Sequence, residues 1–166
     1  MNYTIRKAGR GDGIAVVNIF NHYIKNSYAT YTESPTGQHY FTQLWQMVGE
    51  YPFHMVESEE GTTVGYGLLT DHHPSPAFRR TVEISYFISP DHARKGNGTL
   101  LLISLVDEAA VLGIKNILAS ISSLNEPAIR FHQKNGFAEC GRFQQIGQKF
   151  EKSFDVVWMQ RSVNKN

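Results

Sequence analysis

Hydrophobic and polar positions along the chain change period several times, and each change marks an element. Tyr3 to Ile5 reads as a short first strand. Asp12 reads as an N-cap, followed by Ile14, Val17, Phe20 or Asn21, and Ile24 at helical spacing. A second helix follows Ser34-Pro35, with Tyr40, Phe41, Leu44, Trp45 and Val48 as its apolar face. Two strands come next, Phe53 to Glu57 and Thr63 to Leu69, joined by the hairpin loop Ser58-Glu59-Glu60-Gly61. Asp71 to Phe78, with two prolines and two histidines, reads as an exposed loop. Thr81 to Ile88, TVEISYFI, is a strong strand closed by Ser89-Pro90-Asp91.

Beyond this point strands alternate with helices. Gly98 to Leu112 is a helix stopped by Gly113, and Lys115 to Ile121 is a strand. Glu126 to Asn135 is a helix stopped by Gly136, and Phe137 to Phe143 and Phe154 to Met159 are the last strands. The sum is an α/β (α+β) protein, a mixed sheet with helices on both faces, in one domain over residues 1–166.

Composition narrows the function. Sixteen Lys and Arg against fifteen Asp and Glu leave a net charge of +1, so the basic excess of a nucleic-acid binder is missing. No polybasic or basic amphipathic run suggests a membrane surface, and the apolar runs fall far short of the roughly 20 residues that span a bilayer. One cysteine, Cys140, cannot form an intramolecular disulfide, and the N-terminus lacks the pattern of a signal peptide. A cytoplasmic location is expected.

The most informative stretch is Ile84 to Leu102, where a strand runs into Arg94-Lys95-Gly96-Asn97-Gly98-Thr99 and straight on into a helix. Glycines let a ligand approach the backbone, and the helix N-terminus presents unpaired amides with partial positive charge. With Arg94 and Lys95 beside them this suits a pyrophosphate; the alternative is a solvated turn carrying two surface cations. The string G-x-x-x-x-G-K-[ST] is absent, and Leu101 stands where a dinucleotide fingerprint needs its third glycine.

In its strand, R/Q-x-x-G-x-G/A loop and helix, the segment resembles the acetyl-CoA signature of the GNAT N-acetyltransferases. FRRTVEISYFISPDHARKGNG, NIFNHYIKNS, SLNEPAIRFHQKNGF and GRFQQIGQKFEKSFDVVWMQ are similar to the branch of phosphinothricin and methionine-sulfoximine acetyltransferases, in the same order over nearly the whole chain. There are departures. Ala93 occupies the first motif position, and Glu151 and Phe154 stand where the branch pattern G-x-K-F-G-x-W-x-D has Gly and Trp.

The resemblance implies the GNAT fold, a mostly antiparallel sheet opening as a V between the strand ending at Ile88 and the one beginning near Lys115. Backbone groups of Phe87, Ile88 and Ser89 would face the pantetheine arm, and Arg94, Lys95, Gly96, Asn97, Gly98 and Thr99 the pyrophosphate. The expected reaction moves an acetyl group from acetyl-CoA to a small amino-acid-like amine, with no metal, in a homodimer. Other acceptors, a polyamine or a peptide N-terminus, and a non-catalytic acetyl-CoA sensor stay open.

Acetyl transfer needs an acceptor for the amine's proton. Glu83 sits in an otherwise apolar strand, where desolvation would favour a base; a solvent-facing Glu paired with an Arg is the plainer reading. The resemblance implies the general base here. If the strand is regular from Arg79, Arg79 and Glu83 share a face about 13 Å apart, and Arg79 could hold an acceptor carboxylate or simply be a surface cation. Asn125 is either an N-cap or, as the resemblance implies, also a neighbour of the pantetheine arm. His132, seven residues on, is either the acid for the departing thiolate, as implied, or a half-buried helix histidine. Tyr28, Tyr31 and Phe150 are candidates to line the acceptor pocket, where aromatics are also ordinary core residues. Cys140 reads as a buried structural thiol, and His72-His73 as part of a loop with no further ligand at metal spacing.

Overall fold

The computed structural model describes residues 2–164. In chain order these form β1 (Tyr3–Lys7), α1 (Gly13–Asn26), α2 (Gln38–Val48), β2 (Phe53–Ser58), β3 (Thr63–Asp71), β4 (Thr81–Ile88), α3 (Asn97–Val111), β5 (Asn116–Ser122), α4 (Glu126–Lys134), β6 (Ala138–Lys149) and β7 (Lys152–Ser162). The strands make one seven-stranded sheet in the order β1-β2-β3-β4-β5-β7-β6. Only the β4–β5 pair is parallel.

Period-two alternation divides the strand side chains between two cores. Met55, Tyr66 and Leu68 face α1 and α2, packing with Val16, Ile19, Phe41 and Leu44. Val56, Leu69, Val82, Ile84 and Ile117 face the other way, against Leu101, Leu105 and Ala109 of α3. Leu101 and Leu105 are fully buried, each contributing about 1.5–3 kcal/mol by leaving water.

Three local expectations change. Asp12 does not cap α1 through its side chain. Its carboxylate accepts from Arg6 at 2.8 and 2.7 Å and from the Gly9 amide at 2.7 Å, and the Arg6 hydrogen bond holds its pKa below the ordinary value. Ile14, placed on the apolar face by spacing, is 72% exposed, because the buried stripe runs through Val16, Ile19 and Ile24 instead. Cys140 is exposed on β6, the edge strand, in which every residue from Ala138 to Ile146 is exposed and neither face is covered there.

The last two strands are longer than their hydrophobic pattern. They meet at Lys149 and Lys152, leaving Phe150 and Glu151 as a two-residue turn with φ of 49° and 62°. Both central residues are left-handed, the geometry for which Asn-Gly is the usual signal. Glu151 therefore adopts, with a side chain, the conformation that the branch pattern assigns to glycine. Upstream, Gln145 is left-handed as well (φ 53°) and marks a register shift, its amide donating to Asp155 at 2.9 Å.

Candidate active site

The site lies where β4 and β5 separate. They pair only from Thr81 with Asn116 to Glu83 with Leu118, while β4 continues to Ile88 and β5 to Ser122. A gap opens immediately past Glu83, between strands whose facing backbone groups no longer bond each other. The Ser89 amide donates to the Val64 carbonyl at 2.7 Å, and the Phe87 carbonyl lies against Gly65, so these two expected contacts face β3. Alternation turns the backbone groups of Ile88, and of Tyr86, toward the gap. The Ile88 carbonyl there accepts from the Tyr23 hydroxyl.

At the end of β4 the loop into α3 carries two left-handed residues, Arg94 (φ 62°) and Gly96 (φ 85°), the second being the N-cap of the helix. The first helical bond runs from the Leu100 amide to the Gly96 carbonyl at 3.1 Å, so the amides of Asn97, Gly98 and Thr99 precede the ladder and bear the helix's positive end. Arg94 extends into solvent beside them. Lys95 is exposed, and its ammonium donates to the Asp91 carbonyl at 2.7 Å with two of its three donors left over. The Asn97 side chain is buried and donates to the His92 carbonyl at 2.9 Å, leaving only its backbone amide for a ligand. An anionic pyrophosphate suits this loop through its amides and the exposed side chains of Arg94 and Lys95.

Gly98 sits at the mouth of the gap. A Cβ there would lie 3.6 Å from the Phe131 ring and 3.9 Å from Ile88, ordinary contact that the fold accepts. The branches of a valine would fill the space between these two groups. Gly98→Val should fold normally and bind acetyl-CoA at least about tenfold more weakly, about 1.4 kcal/mol. Calorimetric titration giving the parent affinity would remove the close-approach argument.

Glu83 is on the face of the sheet opposite Val82 and Ile84, with its side chain about one-third exposed (32%). Its carboxylate faces His72, with Oε1 3.6 Å from Nδ1. Tyr31 is nearby: burial raises its pKa, and the negative charge of Glu83 adds to the rise. The Tyr31 hydroxyl pairs with Ser120 Oγ at 2.8 Å, and its ring stacks on Phe154 at 5.7 Å. Tyr28 meets Phe150 edge-on at 5.7 Å. The loop after α1 thus meets the β6–β7 hairpin through two aromatic pairs, Tyr28 with Phe150 and Tyr31 with Phe154, the second of them near Glu83. Lys149 fastens the two segments together. It is 1% exposed, and its ammonium donates to the Ser27 carbonyl (2.7 Å), the Thr30 carbonyl (3.0 Å) and Thr30 Oγ1 (2.9 Å).

Two candidates fall outside this arrangement. Arg79 is not in the strand, for it ends a 3-10 turn with φ −57° and ψ −13°, and β4 begins at Thr81. Alternation therefore does not carry it onto the face of Glu83, and its side chain is exposed. His132 is 5% exposed, with Nδ1 2.7 Å from the Ala128 carbonyl and Nε2 2.7 Å from the Tyr86 hydroxyl. A carbonyl only accepts, so Nδ1 carries the hydrogen and Nε2 accepts from Tyr86. Both nitrogens are engaged within the core, and the ring has no hydrogen to spare for a thiolate. Asn125 is the N-cap of α4, its side chain accepting from the Ala128 amide at 3.4 Å.

His132 also marks a pH dependence. Burial pushes its pKa below the ordinary 6.5, and the Ala128 bond offsets only part of this. As pH falls through 6.5 the unfolded chain takes up a proton that the folded one refuses. The stabilisation is therefore full above about 6.5 and is lost below it, at no more than about 1.4 kcal/mol per pH unit. His132→Phe should flatten the decline between pH 7 and 5 in urea unfolding; parallel slopes for parent and variant would contradict this.

Sequence reasoning missed His72, Ser120, Trp158 and the fastening role of Lys149. Among the described residues, no group of three or more His, Cys, Asp or Glu side chains is set to hold a metal ion. No helix among them is long and apolar enough to cross a membrane.

Residues 17–137 match the Acetyltransferase (GNAT) family. The chain belongs to the GNAT acetyltransferase family. Its sheet flanked by helices is the GNAT fold, and it is an N-acetyltransferase by that membership. It is 33% identical over 166 residues to the L-methionine sulfoximine/L-methionine sulfone acetyltransferase of Salmonella typhimurium, covering 98% of this chain and 96% of that protein. It is 32% identical over 158 residues to the phosphinothricin N-acetyltransferase of Streptomyces viridochromogenes, covering 95% and 86%. Among solved structures, a GNAT superfamily phosphinothricin acetyltransferase from Sinorhizobium meliloti in complex with acetyl-CoA superposes with a TM-score of 0.93. That pair is 28% identical, with 99% of this chain and 90% of the other covered.

Proposed function

We propose that this GNAT enzyme acetylates the amine of a small amino-acid-like acceptor of the methionine sulfoximine, methionine sulfone or phosphinothricin type, with Glu83 as general base. The observation that carries this is the place of Glu83. It is the last β4 residue paired with β5, so it stands at the root of the gap, with Tyr31 nearby. Acetyl-CoA supplies an acyl group already activated as a thioester. The loop amides of 97–99 and Arg94 hold its anionic end, and backbone groups of Tyr86 and Ile88 line its path. Glu83 takes one proton from the acceptor's ammonium, directly or through one water, and frees the nitrogen lone pair to attack the thioester carbonyl. The C–N bond forms as the C–S bond breaks, the second proton shed by the nitrogen goes to the departing thiolate to give the free thiol, and Glu83 returns its proton to solvent. Tyr31, stacked on Phe154, and the Tyr28–Phe150 pair limit the acceptor to a small side chain. The same reading places the chain in the cytoplasm as a homodimer.

A thiol-release assay with acetyl-CoA tests it, run against methionine sulfoximine, methionine sulfone, phosphinothricin, the corresponding amines without a carboxylate, polyamines and short peptides. The amino-acid analogues should give the highest kcat/KM. A preference for polyamines or peptides would overturn the acceptor class, and no thiol release with any amine would overturn catalysis.

A further inference from the structure

Two buried side-chain polar atoms among the described residues lack a hydrogen-bond partner, Ser58 Oγ and His72 Nδ1. An orphan of this kind calls for a physical reason, and for His72 the surroundings supply one. Thr70 pairs with Glu83 across the β3–β4 ladder, so position 72, just past the end of β3, continues the same face and is the diagonal neighbour of Glu83. The His72 ring is held by packing, edge-on to Phe78 at 5.8 Å and to Trp158 at 6.2 Å. Held this way, it aims its buried nitrogen at Glu83 Oε1 from 3.6 Å, slightly beyond hydrogen-bond range. Glu83 has three side-chain torsions and a carboxylate that is part exposed, so left to itself it samples many positions.

We propose that His72 is a positioning residue for the catalytic carboxylate. With the acceptor bound, its Nδ1–H donates to Glu83 Oε1 and fixes the group, leaving Oε2 to take the amine's proton. Hydrogen bonds of this kind are often long in the free enzyme and shorten in the substrate complex. The neutral imidazole suffices, and it neither gains nor loses a proton over the cycle. The proposal rests on Glu83 being the base.

The test is steady-state kinetics of the intact enzyme with four variants: His72→Phe, His72→Asn, Glu83→Ala and the double variant His72→Phe/Glu83→Ala. Phenylalanine keeps the ring packing on Phe78 and Trp158 but has no donor, and asparagine places an amide N–H about where Nδ1 sits. His72→Phe should lower kcat by about 10–100-fold, the size of effect a misplaced catalytic group produces, with acceptor KM changed by less than about threefold. His72→Asn should recover most of that loss. In the Glu83→Ala background, His72→Phe should cost nothing further, because it acts only through the carboxylate. If His72→Phe does not fold, His72→Leu takes its place in both backgrounds. Parent kcat in His72→Phe, equal losses in the two backgrounds, or an asparagine variant as slow as the phenylalanine one would each overturn the proposal. An active Glu83→Ala would instead overturn the base assignment itself, so the two failures are told apart.

Discussion

Replacing Glu83 with Gln should lower kcat by about 10²–10⁴-fold at neutral pH, the ordinary contribution of a positioned general base. Glutamine keeps the size of the side chain and can still accept a hydrogen bond from His72, but it cannot take up the acceptor's proton. The loss should shrink at high pH, where more of the acceptor amine is already neutral and needs no base. Structure is not at stake, since Glu83 is one-third exposed and belongs to neither core. Rates at pH 7 and pH 9.5, with a thermal melt to confirm folding, decide the matter. A variant as fast as the parent at pH 7 would remove Glu83 from the mechanism.

Lys149→Met should destabilise the fold by about 2–4 kcal/mol. Methionine fills much of the same volume, but the Ser27 carbonyl, the Thr30 carbonyl and Thr30 Oγ1 lose their shared donor. A buried acceptor left without a partner costs about 1–3 kcal/mol, and water reaching the loosened loop offsets part of the sum. At about 2–4 °C per kcal/mol for a chain of this size, the melting temperature should fall by roughly 5–15 °C. Acceptor KM should rise as well, because the loop that Lys149 fastens carries Tyr28 and Tyr31. Urea unfolding that finds a change below about 0.5 kcal/mol would show that the three acceptors find other donors.

The glycine loop is a local strand-to-helix turn and was legible as one, whereas Tyr28 meets Phe150, and Tyr31 meets Phe154, only across the tertiary fold. Arg79 does not share the face of Glu83 for a local reason: β4 starts at Thr81, and the 3-10 turn Pro76–Phe78, capped by Arg79, breaks the alternation before it. The β6–β7 hairpin was under-read because Phe150-Glu151 carries no Asn-Gly signal and Gln145 interrupts the alternation. His72 stands in a loop-like segment without metal-ligand spacing, and nothing local marks that position 72 lies two beyond the partner of Glu83. That relation becomes visible only once the β3–β4 register is known.

By itself the sequence determined the order and kind of the elements, the pyrophosphate-suited loop and the acidic residue in the apolar strand. These rest on periodicity and on residue types a few positions apart, which neighbouring side chains and backbone sterics enforce directly. Tertiary structure decided what each polar side chain faces. Lys149 meets Thr30 across 119 positions, and His132 meets Tyr86 across 46. Whether a buried cation is a ligand or a fastening, and whether a histidine has a proton to give, depends on which acceptors the packed chain brings to it. Local pattern carries no record of those partners, since a donor is spent or free only when the fold has closed around it.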